Sequence, residues 1–99
     1  MMDAMRASAR VNRFLLSQVG TNFAAGDPIL DAAKAEWLAP ILMITPGLVV
    51  GQVGEAIVSQ ETLEIISHTS IEQIHAAAIT LRERHKDEIE AAFLRARKV

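Results

Sequence analysis

Between Trp37 and Ser59 the chain reads WLAPILMITPGLVVGQVGEAIVS, two runs of large and β-branched apolar residues divided by Thr45-Pro46-Gly47. No other segment restricts the fold as strongly. Two short apolar runs around a Pro-Gly signal predict an antiparallel hairpin. Pro40 offers no donor to a ladder, so the first strand is expected at a sheet edge, or to begin pairing only after it. Gly51 and Gly54 interrupt the second strand and predict a bend or bulge. After a turn over Gln60 to Leu63, Glu64 to Ser67 is expected to return as a third strand. Val49, Val53 and Ile57 alternate with Val50, Ala56 and Val58, so both faces of the second strand are apolar. An antiparallel sheet with one wet face alternates with polar residues instead. Both faces are therefore expected to be covered.

Helical patterns flank this block. Asp3 to Val19 contains neither Pro nor Gly, and Met5, Val11, Leu15 and Val19 recur at roughly helical spacing, with Gly20 placed to end the helix. In GDPILDAAKAEW, Asp27 can cap a helix and Pro28 can occupy its first position, which predicts a short helix from Pro28 to about Ala35. From Ser70 onward Ile71, Ile74, Ala78, Leu81, His85, Ile89, Ala92 and Phe93 fall on or near one stripe. Thr69 with Glu72, or Ser70 with Gln73, fits a capping box at its start. A continuous helix to Lys98 would have about 28 residues and a length of roughly 42 Å. A domain of about 100 residues has a diameter of roughly 33 Å. Such a helix would overhang, carrying apolar Ile89, Phe93 and Leu94 into a region where only a partner could cover them. Leu81, His85, Ile89, Phe93 and Leu94 are thus the candidate partner-binding residues, with a homo-oligomer as the simplest arrangement.

Together these elements predict one α+β domain over residues 1–99: an N-terminal helix, a small antiparallel sheet of about three strands and a long C-terminal helix. No cysteine is present, which removes disulfides, thiolate nucleophiles and cysteine zinc sites. Arg6, Arg10 and Arg13 interrupt the region where a signal peptide would place its apolar run, and no stretch reaches 18 apolar residues. A soluble, cytoplasmic protein without membrane attachment is expected. The net charge of −2 is unevenly spread: between residues 14 and 81 one lysine faces seven acids, whereas both ends are basic. The ends and the middle could attract each other, or a second copy of the chain.

Candidate chemistry is sparse. Arg6, Arg10 and Arg13 form a basic stripe on one helix face that could hold phosphates, and this makes a nucleic-acid-binding dimer the alternative function. Glu72-x-x-His75, with His68 just before the helix cap, contains half of the ligand set that di-metal helical bundles use, so His68, Glu72 and His75 are the candidate metal ligands. His85 and Glu88 repeat the spacing among solvated ion pairs. Gly51-Gln52-Val53-Gly54 fits the bare Gly-x-x-Gly of a KH clamp, but lies among β-formers and precedes an acid. Gly-x-Ser-x-Gly, Walker and His-Glu-x-x-His motifs are missing, and Ser59 or Ser67 with His68 lacks an orienting acid. The expectation is a non-enzymatic protein without a cofactor.

Trp37-x-x-Pro40, then Val53-Gly54-Glu55-Ala56-Ile57-Val58 and Thr62-x-Glu64-Ile65, resembles the hairpin of PepSY-like domains, in which a Trp-led strand and a strand-turn-strand follow a helix. Ser59 stands where that pattern has Asp, and Leu63 where its turn has Gly. The segment Val53 to Thr69 also looks similar to small prokaryotic proteins, some associated with PIN-domain toxins. That likeness implies an antitoxin-like or regulatory binding role, with a PIN-type toxin as a possible protein partner.

Overall fold

The computed structural model describes residues 2–97, so the expected helix end at Lys98 lies outside the described residues. The chain runs α1 (Met2–Gln18), β1 (Phe23–Ala25), β2 (Ile29–Asp31), β3 (Glu36–Thr45), β4 (Leu48–Ser59), β5 (Ile65–His68), α2 (Ile71–Arg84) and α3 (Lys86–Arg97). It is an α+β fold. One antiparallel sheet has the order β1-β3-β4-β5, and β2 joins β3 on the same side as β1.

The predicted hairpin is the centre of this sheet. Trp37 pairs with Val58 and Thr45 with Leu48, and the Pro46-Gly47 turn places Gly47 at φ 71, a left-handed position that glycine occupies without steric cost. The expected irregularity is real: the register shifts between Ile41 and Leu42 and again between Met43 and Ile44, leaving Val53 and Val50 as extra residues of β4. Two glycines of this strand seat the following helix. A Cβ on Gly51 would lie 3.1 Å from Leu81 Cδ1, and one on Gly54 would lie 2.8 Å from Thr69 Cβ. Both side chains therefore rest directly on β4 backbone, and Thr69 adds a clasp by accepting from Glu55 N at 3.0 Å and donating its own N–H to Glu55 O at 2.9 Å.

The expected short helix at Pro28 is not formed; its residues supply β2 and a tight connection to β3. Ile29 pairs with Leu38 and Leu30 with Trp37, while Gly26 N donates to Pro40 O at 2.8 Å. A helix of about two turns returns few hydrogen bonds for the residues it orders, and pairing with a strand already in place wins. Asp31, expected to lie within that helix, instead accepts from Lys34 N at 3.3 Å in the turn that follows. The expectation for Pro40 also changes, since β3 is paired on both sides. In an antiparallel strand, one residue's N–H and C=O face the same neighbour. The Pro40 nitrogen therefore faces the interruption between β1 and β2, where a ladder donor is not required.

Trp37, Ala39, Ile41 and Met43 on β3, with Val53, Ala56 and Val58 on β4, make the buried sheet face. Ala7, Val11 and Leu15 of α1 and Ile74 and Ala78 of α2 pack on it. Met5, expected on the apolar stripe of α1, is 74% exposed, and Ala4 and Ala7 take the inward positions. Small side chains let this helix lie close to the sheet. Ser70 is the α2 cap, its Oγ accepting from Gln73 N at 3.1 Å.

Two further expectations are corrected. The C-terminal helix is not one rod: it breaks at His85 (φ −117, ψ 27), although neither Pro nor Gly is near. The bend lets α3 return against β3 and β4, so that Ala92 is buried and Ile89 packs on the core, burial that a straight helix running past the sheet would forgo. The sheet is covered on one face only by the described residues. Leu38, Pro40, Leu42 and Ile44, the alternate positions of β3, are half-buried or exposed.

Ala35 adopts φ 53 and Leu63 φ 59, conformations that cost an L-residue about 1–2 kcal/mol. Ala35→Gly is expected to raise stability by up to about 1 kcal/mol, the relief being partly offset by greater freedom of the unfolded chain. Thermal denaturation followed by circular dichroism checks this as a rise in Tm. Gly54→Ala has the opposite sign, because its methyl group overlaps Thr69; a loss of about 1–3 kcal/mol is expected.

Candidate functional site

The residues singled out in the sequence do not converge on one site. His68 lies in β5, where its ring packs at a tilt against Phe14 with centroids 4.4 Å apart and Nδ1 donates to the Thr69 carbonyl at 2.7 Å. His75 lies a full turn into α2, and its Nε2 donates to Val19 O at 3.1 Å beside Phe23. One histidine thus fastens α1 and β5, and the other fastens the α1–β1 loop to α2. Glu72 is exposed. The strand-to-helix change at Thr69 separates the proposed ligands, and among the described residues no three His, Asp or Glu side chains are placed to hold a metal.

The arginine stripe is partly occupied. Arg10 pairs with Glu64 at 3.6 Å, joining α1 to the segment before β5, while Arg6 and Arg13 are exposed. Ser59 Oγ accepts from Thr62 N at 3.2 Å, which makes it a turn residue. The Gly-x-x-Gly is the helix seat described above.

The five C-terminal candidates divide by direction. Leu81 packs inward on Gly51, and His85 sits at the helix break with Nδ1 3.1 Å from Glu88 Oε1. Ile89 is half-buried, whereas Phe93 and Leu94 remain 47% and 55% exposed. The bend turns part of this stripe toward the molecule.

That bend also creates a groove that the sequence did not announce. Between the β1 and β3 ends and the two C-terminal helices lies a hollow of about 470 Å³, walled by Phe23, Met43, Ala78, Ile79, Ile89 and Phe93. Thr45, His75, Arg82 and Asn22 are its polar members, and none of the residues lining it is acidic. Thr45 Oγ1 is buried without a hydrogen-bond partner. Thr45 reads in the sequence only as the residue before a Pro-Gly turn, and Arg82 as one charge in a solvated face. Their meeting depends on how α2 lies across the end of the sheet.

A second surface is the outer sheet face. Ile29, Leu38, Ile57 and Ser67 stand in one cross-strand row, and Leu42 and Pro40 continue it along β3. Ile29 is 65% and Leu38 36% exposed. Beside this row a hollow of about 450 Å³ is rimmed by Asp31, Lys34 and Glu36.

Among the described residues no helix is long and apolar enough to cross a membrane. No protein-family model, curated protein or solved structure matches the chain.

Proposed function

We propose that this chain is a non-enzymatic protein-binding module with a regulatory, antitoxin-like role, and that it works as a homodimer joined through the outer face of its sheet. The observation that carries this reading is the composition of β3, whose four outward residues Leu38, Pro40, Leu42 and Ile44 are all apolar and lie on the face opposite the helices. A sheet face meant for water alternates with polar residues, and contiguous apolar surface usually has a partner. With strands of ten and twelve residues at the centre and short strands on either side, the face measures roughly 500 Å² in projection at about 3.3 Å per residue and 4.8 Å per strand. Side-chain relief brings its accessible area toward the ~800 Å² that a standard interface takes from each partner. Asp31, Lys34 and Glu36 rim one end of the apolar row, while Glu55 and Gln52 of β4 stand opposite Pro40 and Leu42 within the face. Two such faces can stack as the layers of a sandwich do.

Phe93 and Leu94 on α3 offer the smaller surface, suited to a protein partner of the dimer. The arginine stripe supports nucleic-acid contact less well, since Arg10 is engaged by Glu64. Sedimentation equilibrium is expected to give a dimer mass. Leu42→Glu should weaken self-association by at least about tenfold, because it places a charge within a desolvated contact. Phe93→Glu should leave the dimer intact. A monomer for the unaltered chain at high micromolar concentration, or a dimer lost in the Phe93 variant and kept in the Leu42 variant, overturns this assignment.

A further inference from the structure

We propose that the groove between the β1–β3 end and helices α2 and α3 is a binding site for a small apolar carboxylate, an acyl or aryl acid of about eight to twelve carbons. Its volume of about 470 Å³ falls within the range of small-molecule sites, roughly 300–1,000 Å³. The lining has the division of labour such sites share: a mainly apolar wall with a few polar groups that fix orientation. Phe23, Met43, Ile79 and Phe93 supply the wall.

Two observations select an acid over a neutral molecule. Arg82 lines the groove, no acidic residue lines it, and no ion pair engages Arg82 among the described residues. A guanidinium free of carboxylates offers a planar fork of donors that matches a carboxylate. Thr45 also lines the groove, and its buried Oγ1 lacks a partner, an arrangement that is destabilising unless something satisfies it. A rotation about χ1 would be needed to bring that hydroxyl to a bound carboxylate oxygen, which can accept its proton. His75 contributes shape, because its Nε2 is already committed to Val19 O.

The apolar tail has a direction. A neighbouring hollow of about 440 Å³ shares Ile89 and Phe93 with the groove and continues along α3 to Leu94, with Glu90 and Arg97 as its charged members. A chain anchored at Arg82 can therefore extend across Phe93. The site is formed within one chain, on the opposite side of the sheet from the proposed dimer face, and holds whether or not that face associates.

Titration of the full-length protein with decanoate, followed by amide chemical shifts and calorimetry, tests the assignment, with decanol as the uncharged probe. Decanoate below its micelle concentration is expected to saturate a single site, with the largest shifts at Thr45, Ile79, Arg82 and Phe93. Decanol should bind at least tenfold more weakly. Arg82→Gln, at an exposed position where the fold is insensitive to change, should weaken decanoate about tenfold and Thr45→Val severalfold, while Arg97→Gln should have little effect. Absence of saturation overturns the proposal. So do equal affinities for acid and alcohol, an unaltered affinity in a folded Arg82→Gln protein, or shifts centred on Leu38 and Leu42.

Discussion

The structure depends on the pairing of β3 with β4. β3 is bonded on both flanks, and its alternate residues define the two faces of the sheet. Trp37, Ala39, Ile41 and Met43 bind it to the helical layer, and α1 and α2 each contribute only a few buried residues to that layer. A chain of 99 residues has little core to spare, so the orientation of this strand sets where every other element can find cover. A shift of one residue in its register would exchange the buried set for Leu38, Leu42 and Ile44. Since those residues are apolar too, the polarity of β3 alone does not choose between faces. The helices choose, with Ala7, Val11, Leu15 and Ile74 packed on the first set and Leu81 seated on Gly51 of β4.

Glycine in β4 shows how one motif can serve packing while resembling a site. Gly51 and Gly54 lack side chains where Leu81 and Thr69 approach, so α2 begins and nearly ends in contact with strand backbone. The polar residues that follow are accounted for by the chain's reversal of direction. Ser59 and Thr62 hold the turn, Thr69 clasps β4, and Ser70 caps α2. His68 and His75 belong to the same economy, each donating to a main-chain carbonyl. What is left for association or ligands is chiefly apolar: the outer face of the sheet and the groove under the bent C-terminal helices.

Legibility followed the range of the interactions. The hairpin, its Pro-Gly turn, the irregular second strand, the returning strand and the Ser70 cap all depend on neighbours close in sequence, and they stood in the residues themselves. The edge strands β1 and β2 did not. Phe23 to Ala25 and Ile29 to Asp31 are three residues each and have little strand character alone; they are ordered by hydrogen bonds to β3. The break at His85 has no local breaker and arises because Ile89 and Ala92 gain cover by returning to the core. The groove was illegible for the same reason, its members coming from the loop before β1, β1 itself, the tip of the hairpin and both sides of the bend.

The sequence by itself determined that a Pro-Gly hairpin of apolar strands would lie between two helical segments, because turn chemistry and hydrophobic period act over a few residues. It also determined that both faces of β3 would be apolar. Only the tertiary structure decided which face the helices cover, leaving Leu38 and Leu42 outward. It also brought Thr45 and Arg82 to one hollow. Those outcomes rest on contacts between residues far apart in the chain, where burial against an already formed strand outweighs local preference.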